Sequence, residues 1–320
     1  MRWGWLAWWS VIGSVAGGGY NLVDPNPACL TMGIQYCPRP SYNESVTNEY
    51  MSWYERTHQV LLNAMRMDPV SFAKTFTNNT ITYACDTTGP RAPLRYSTNA
   101  QQAAKQQSYL LNITGCPFSH NTCAPYCVLY NNDCAWYTRV KKYEQNWTTM
   151  GENIAISRSD PLSPLKQFAQ SAGHCANMLG VQYTKIGIGN IGRRWTQVFT
   201  ATTPSGTIMN PFYDGTHWKG SPFVESDQLY FMTNYYDATP PSILTVIILG
   251  KNTTTNRTMT LQSGTRQRGT YVTNYTGAPA ECLKYFFQAR VNNTLYRLPE
   301  KGFFQTIGTA NCSLNYSPAI

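Results

Sequence analysis

The chain has 320 residues, which is long enough for two ordinary domains. Its hydrophobic fraction of 42% supplies packed cores and excludes a wholly disordered chain, while charged residues make up only 13%. The formal net charge of +9 comes from scattered Lys and Arg without a basic helix or a long basic run, which excludes nucleic acid as the expected partner.

The first residues have the pattern of a signal peptide. Arg2 supplies the positive charge, residues 5–16 form a short apolar run, and small residues precede Gly17. The run is shorter than the roughly 20 residues of a membrane span, and no later segment is long and apolar enough. We predict a signal peptide over residues 1–16, a secreted or cell-surface protein, and no transmembrane segment after signal removal. An uncleaved anchor or a buried N-terminal segment is the alternative.

Ten cysteines lie beyond this segment, and an even number in an exported chain favours disulfides. Cys29 and Cys37 are predicted to close a loop in an irregular leader over residues 17–48, and Cys282 is predicted to pair with Cys312. The remaining cysteines include a crowded stretch that indicates a stapled loop, with zinc ligation as the alternative. The sequence leaves their pairing open; they are Cys85, Cys116, Cys123, Cys127, Cys134 and Cys175.

Many asparagines begin the pattern N-x-S/T, which predicts a glycoprotein if the host performs the modification. They are Asn43, Asn78, Asn112, Asn146, Asn252, Asn256, Asn274, Asn292, Asn311 and Asn315.

Helical patterns dominate the first half of the remaining chain. Residues 49–76 carry an apolar stripe that is interrupted at Asp68, where Pro69 is expected to begin a new turn. A second helix is predicted over residues 97–111, with Ser97 or Thr98 as N-cap. A short helix over residues 165–171 is predicted after an N-cap at Ser163 and is expected to break at Gly173.

Strand patterns follow. Residues 183–188 and 195–201 alternate like strands and are joined by a hairpin loop. Beyond residue 204 the helical signals end, and six strands separated by turn residues predict an antiparallel β-sandwich accessory domain over residues 205–320. The predicted strands cover residues 228–236, 242–249, 258–261, 270–273, 283–290 and 294–298.

The candidate site consists of His120, Glu152 and His174. Imidazole and carboxylate side chains together suit a divalent metal ion with an open position for water. Alternatively, Glu152 orients one of the two histidines from behind. On the residues alone these three positions are far apart in sequence, and a lone histidine is more often structural than a ligand.

Several short segments in register favour a functional role for these three residues over a structural one. They resemble the CAP superfamily (cysteine-rich secretory, antigen 5, pathogenesis-related; SCP domain), and the resemblance covers about residues 50–202. The segments are Leu62–Arg66, Pro93–Tyr96, Ala103–Ala104, Gly151–Ala155, Gly173–Leu179, Tyr183–Gly189 and Trp195–Phe199.

The resemblance implies an α+β fold, a three-layer α-β-α sandwich over residues 49–204, followed here by the small all-β sandwich. It also implies a central cleft that holds His120, Glu152 and His174, with Zn²⁺ or another divalent cation as the implied cofactor. Family members often carry a second Glu on the helix before the second His. Residues 166–170 contain no acid here, which is closer to the shorter, bacterial-like pattern.

Three functions remain open from the sequence. The first is a non-catalytic extracellular binding protein for a lipid or sterol, a glycan or a protein partner, as the family resemblance implies. The second is a metal-dependent secreted hydrolase, specifically a peptidase. The third is a structural component of a cell surface or matrix. The sequence predicts no catalytic residue and does not decide whether the protein is an enzyme.

Overall fold

The structure, a computed structural model, describes residues 51–158, 160–201, 210–221, 224–276 and 283–306. The predicted signal peptide and leader lie outside the described residues, as do the predicted Cys29–Cys37 and Cys282–Cys312 pairs.

Two consecutive helices open the described part, as the sequence predicts. Helix α1 spans Trp53–Met67 and begins at a capping box, in which the Ser52 and Glu55 side chains accept from each other's backbone N–H groups. It ends at Asp68, whose side chain caps helix α2 over Pro69–Thr77. The helix break predicted at Asp68 is confirmed, since Pro69 is the first residue of α2.

A four-stranded sheet with helices on both faces follows. The further elements in chain order are β1 (Arg95–Tyr96), α3 (Thr98–Asn112), a 3-10 helix (Ala124–Tyr130), α4 (Trp136–Tyr143), β2 (Thr149–Ile156), α5 (Leu162–Ala169), α6 (Ala172–Leu179), β3 (Lys185–Ile191) and β4 (Arg194–Ala201). The strand order is β1-β3-β4-β2, in which β1 runs parallel to β3 and the other neighbours are antiparallel. Ser97 caps α3, as predicted.

Alternating residues of this sheet face two different cores. Val198 packs with the alanines of α3 and with Val140 of α4 on one face. Ile186 and Phe199 pack with α1, α5 and α6 on the other face. This period of two along a strand gives the three-layer α-β-α arrangement, so the predicted fold class of this part is confirmed.

Glycines bring α3 close to the sheet. A Cβ atom placed on Gly187 would lie 2.0 Å from the backbone carbon of Ala100, and one on Gly189 would lie 2.3 Å from the carbonyl oxygen of Ala104. These positions therefore need a residue without a side chain, because the helix backbone occupies the space.

Two antiparallel sheets form the second part, and the predicted β-sandwich is confirmed. Their strands are β5 (Phe212–Ser221), β6 (Val224–Tyr236), β7 (Ile243–Leu249), β8 (Thr254–Thr258), β9 (Thr260–Gly264), β10 (Arg268–Tyr275), β11 (Lys284–Val291), β12 (Thr294–Leu298) and β13 (Phe304–Gln305). The orders are β5-β6-β10-β9 and β12-β11-β7-β8, with β13 beside β11. Phe231, Tyr285 and Phe287 belong to the core shared by the two sheets.

Helix α1 lies between the α-β-α sheet and the sandwich. Every residue from Glu55 to Met67 is buried, including seven polar or charged side chains. The Asn63 amide donates to Asp214 of β5 over 2.6 Å, and the Asn234 amide of β6 donates to the carbonyl oxygen of Val60 over 2.8 Å. The described residues belong to one compact unit. The predicted boundary at residue 204 stays a prediction.

Three local predictions need correction. Helix α5 begins at Leu162, and the Asp160 carboxylate accepts from the backbone N–H groups of Leu162 and Ser163, so Asp160 rather than Ser163 supplies the cap. Gly173 does not end the helical region, because it lies inside α6. The sequence also missed several elements, namely the 3-10 helix, α4, α6, β1, β2, β5, β13 and a separate β8.

Three disulfides resolve the pairing that the sequence left open. They join Cys85 to Cys175, Cys116 to Cys123 and Cys127 to Cys134. The crowded stretch is therefore a stapled loop, and the zinc alternative for it is wrong because all four of its thiols are used. Among the described residues, no helix has both the length and the apolar character needed to cross a membrane.

Candidate functional site

His120 lies in the loop after α3, between the two cysteines of the first short disulfide. The Gln107 amide of α3 donates to the carbonyl oxygen of Ser119 over 2.7 Å. The imidazole itself is 42% exposed. A disulfide bond and a hydrogen bond from a helix side chain thus hold the backbone of the loop that carries the partly exposed His120 ring.

Glu152 lies on β2, and both of its carboxylate oxygens are engaged. Oε1 is 3.0 Å from His120 Nδ1, and Oε2 accepts from Arg139 Nη2 in a short contact. The carboxylate side chain is only 1% exposed and the Arg139 side chain is fully buried. A buried ion pair of this kind is stable only while both partners are present.

Arg139 joins three parts of the site. Besides Glu152, its guanidinium donates from Nη1 to the carbonyl oxygen of His120 and to Thr122 Oγ1, each over 3.2 Å. Arg139 belongs to α4, which begins just after the Cys127–Cys134 disulfide. Both short disulfides therefore border segments that deliver side chains to one buried carboxylate.

The Arg139–Glu152 contact also assigns the tautomer of His120. An ionised carboxylate accepts hydrogen bonds only, so His120 Nδ1 carries the hydrogen that is donated to Glu152. In the neutral imidazole the other nitrogen, Nε2, then has a free lone pair. Glu152 therefore orients the ring from behind, which is the second of the two roles considered for it from the sequence.

His174 lies in the first turn of α6, and its ring packs edge-on against Phe168 of α5, with ring centroids 5.3 Å apart. Partial burial, and secondarily the nearby His120, lower the pKa of His174. The carbonyl oxygen of His174 accepts from the Asn153 amide over 3.1 Å. Adjacent residues of β2 thus support the two histidines, Glu152 through the His120 ring and Asn153 through the His174 backbone.

The two histidines line one pocket of about 430 Å³, open to solvent. Its other walls are Phe118, Ser119, Asn121 and Ile154. Phe118 is 49% exposed, so the pocket lining includes an exposed apolar side chain. Glu152 lies behind His120 and does not line the pocket.

A buried polar chain supports the pocket from inside. Asn153 donates to Gln197 Oε1 over 2.8 Å, and the Gln197 amide nitrogen lies 2.7 Å from His58 Nε2. His58 Nδ1 is 2.7 Å from the carbonyl oxygen of Pro161, so Nδ1 is the protonated nitrogen. Burial lowers the pKa of His58 to about 4, and the ring is neutral at physiological pH.

The residues fit a three-ligand metal site poorly. Among the described residues, no group of three or more His, Cys, Asp or Glu side chains could hold a metal ion. Glu152 is committed to Arg139 and His120, which leaves two imidazoles as donors. Structural and catalytic zinc sites use at least three protein ligands. The assignment of His120, Glu152 and His174 as metal ligands stays a prediction.

The sequence did not identify Arg139 as a partner of Glu152. There Arg139 counts only among the scattered Lys and Arg residues. A signal was present, because Trp136, Arg139, Val140 and Tyr143 are spaced at i, i+3, i+4 and i+7. That spacing puts the arginine on the apolar face of a helix, where a charge needs a buried partner.

Comparisons with known proteins find likeness over parts of the chain. No family model matches it. A curated protein of Bacillus subtilis, the uncharacterized protein YkwD, is 35% identical over 65 residues, which are 20% of this chain and 25% of that protein.

Solved structures give a similar picture. An extracellular protein containing an SCP domain from Bacillus anthracis is 21% identical, with a TM-score of 0.30, over 43% of this chain and 40% of that chain. A cysteine-rich secretory protein from Staphylococcus aureus is 11% identical, with a TM-score of 0.29, over 46% and 39%. BhCBM56 is 15% identical, with a TM-score of 0.21, over 31% of this chain and 95% of that chain.

The chain spans a quarter of the curated relative and about two fifths of each SCP structure. Two of these likenesses, at 21% and 11% identity, are to an SCP-domain protein and a cysteine-rich secretory protein, the kind of protein that the sequence segments resemble.

Proposed function

We propose that the chain is an exported, disulfide-bonded binding protein without catalytic activity, and that its pocket takes a small amphipathic molecule such as a lipid or sterol. Three disulfides in the described residues support an oxidising compartment. One similar solved structure is that of an extracellular protein and another is that of a cysteine-rich secretory protein, which supports the same proposal.

The state of Glu152 is the observation that carries the proposal. A general base or a water-activating carboxylate needs a free oxygen that faces the substrate. Here Arg139 and His120 take both oxygens, and the carboxylate is buried behind the ring. The pocket therefore offers hydrogen-bonding groups without the carboxylate that hydrolysis would use.

The pocket walls favour an amphipathic ligand. A volume of about 430 Å³ lies within the usual range of small-molecule sites. Phe118 and Ile154 supply apolar contact, and His120 Nε2 supplies an acceptor for a hydroxyl group. A ligand with an apolar body and one hydroxyl group matches both features. Binding of a glycan instead is a separate outcome of the test below.

The test is ligand binding by the purified, secreted protein. A sterol, a long-chain fatty acid and cell-wall glycan fragments are titrated by calorimetry. The variant with both His120→Ala and His174→Ala is compared with Val181→Ala, whose side chain is 75% exposed and does not line the pocket. We expect at least tenfold weaker sterol binding in the double variant, about 1.4 kcal/mol, and no change in the control.

Unchanged binding in the double histidine variant would move the ligand site elsewhere. Elemental analysis of the same preparation tests whether a metal is bound. A stoichiometric divalent ion that is lost from the double variant would establish a site formed by the two imidazoles. Turnover of a peptide or ester that is abolished by a chelator and by Glu152→Gln would replace this proposal with the hydrolase.

A further inference from the structure

The sequon asparagines share one structural property. All of those in the described residues are exposed, namely Asn78, Asn112, Asn146, Asn252, Asn256, Asn274 and Asn292. By contrast, the buried Asn63, Asn153 and Asn234 use their amides in internal hydrogen bonds, and none of them begins a sequon. The amides of the sequon asparagines are thus where a transferase could reach them.

Two of these asparagines lie at the edge strand β8. This strand pairs with β7 on one side and ends its sheet among the described strands. Asn252 lies just before β8, and Asn256 lies at its centre, opposite Ile247 of β7. Four of the five residues of β8 are exposed.

The edge continues into the other sheet. After Met259 the chain enters β9, which is the edge strand of the first sheet of the sandwich. Residues 252–264 therefore run along the edges of both sheets. Arg257 is their only charged residue, and they contain neither lysine nor proline. Exposed edges usually carry such residues because unpaired backbone groups recruit strands from other molecules.

We propose that Asn252 and Asn256 carry N-linked oligosaccharides and that these sugars cover the β8 edge. The co-reactant is an oligosaccharide linked to a lipid through pyrophosphate. The asparagine Nδ2 forms a bond to the anomeric carbon and loses one proton. The bond from that carbon to the pyrophosphate oxygen breaks, and the lipid pyrophosphate leaves with the electron pair. A bulky, hydrated sugar at the centre of β8 prevents the approach of another strand.

This inference rests on the proposed export but not on the pocket. Loss of ligand binding at His120 and His174 would leave it unchanged, and unmodified asparagines would leave the pocket unchanged.

The first measurement is glycopeptide mass spectrometry of the protein isolated from its native source. We expect sugar on both asparagines; their absence in the secreted protein would overturn the proposal. The second measurement uses protein secreted from cells that perform N-glycosylation. The pair Asn252→Gln and Asn256→Gln is compared with the pair Asn112→Gln and Asn146→Gln, which also removes two exposed sequons.

We expect a several-fold rise in aggregated protein for the β8 pair, measured by size-exclusion chromatography with light scattering, and none for the control pair. If the β8 pair is not secreted, enzymatic removal of sugar from the folded wild-type protein tests whether the sugars prevent aggregation. Equal aggregation of the two pairs, or a deglycosylated protein as monodisperse as the glycosylated one, would show that the sugars do not protect this edge.

Discussion

Replacement of Arg139 by Met tests the central contact of the site. The variant leaves the Glu152 carboxylate, which is 1% exposed, without its guanidinium partner. Breaking a buried pair from one side costs about 3–5 kcal/mol, because the remaining charge is neither solvated nor compensated. His120 alone cannot replace Arg139, since it contacts only Oε1. We therefore expect Arg139→Met to lower the free energy of unfolding by about 3–5 kcal/mol.

A second substitution separates charge burial from lost packing. Glu152→Gln added to Arg139→Met removes the stranded charge and keeps an acceptor for His120. We expect the double variant to be more stable than Arg139→Met, with a coupling energy of about 1–3 kcal/mol in the double-mutant cycle.

Urea unfolding followed by tryptophan fluorescence at pH 7 measures both effects. Lys142→Met is the control, because Lys142 lies on the same helix, is exposed, and donates to the carbonyl oxygen of Leu129. It should cost less than about 1 kcal/mol. An equally small loss in Arg139→Met, or a double variant no more stable than Arg139→Met, would refute the buried-pair reasoning.

Three further outcomes follow from buried groups and close contacts. Burial lowers the pKa of His58 from 6.5 to about 4, so between these values the unfolded chain binds one more proton than the folded protein. The free energy of unfolding should therefore fall by roughly 3 kcal/mol as the pH drops from 7 to below 4. Urea unfolding of His58→Gln should lack this loss, and parallel pH profiles for the variant and the wild-type protein would contradict the prediction. Burial raises the pKa of Asp214 from 3.8 to about 7, so its contribution to stability is present below pH 4 and is lost as the pH rises through 7. The difference in the free energy of unfolding between the wild-type protein and Asp214→Asn, measured between pH 4 and 8, should show this loss. Gly187→Ala should lower stability by at least about 1–3 kcal/mol, because the added Cβ meets the α3 backbone. Gly173→Ala in α6 should raise stability by about 0.5–1 kcal/mol, because a Cβ there has nothing within 4 Å. Thermal unfolding compares the two variants, and a Gly187→Ala protein more stable than Gly173→Ala would contradict the packing.

Local signals in the sequence predicted much of the α-β-α part. Capping residues and Pro69 located the start of α2, and Ser97 located the start of α3. Alternating apolar residues located β3 and β4. Each of these signals acts within a few residues, so a single chain is sufficient to reveal it.

Gly173, next to His174, shows where local signals fail. Gly173 suggested the end of a helix, yet α6 continues through it. The Cys85–Cys175 disulfide and the packing of Met178 in the main core hold this short helix in place. Tertiary contacts therefore outweigh the helix propensity of one glycine, a difference of about 1 kcal/mol.

Arg139 shows a second limit. Its helix could be inferred from the spacing of Trp136, Val140 and Tyr143, but its partner could not. Glu152 lies 13 residues further along the chain on a strand, and only the assembled sheet brings the two together. The sequence could thus propose a His–Glu cleft, while the commitment of the carboxylate required coordinates.

The placement of α1 has a consequence for how such a protein can change by recombination. Its polar side chains Thr57 and Asn63 find their partners Thr216 and Asp214 more than 150 positions downstream. A gene fusion that attached a different C-terminal segment at residue 204 would strand those hydroxyl and amide groups against an unmatched surface. Shuffling of the two halves would therefore succeed only with simultaneous replacement of these α1 residues, so the helix and the strands that cover it are expected to be inherited as a set.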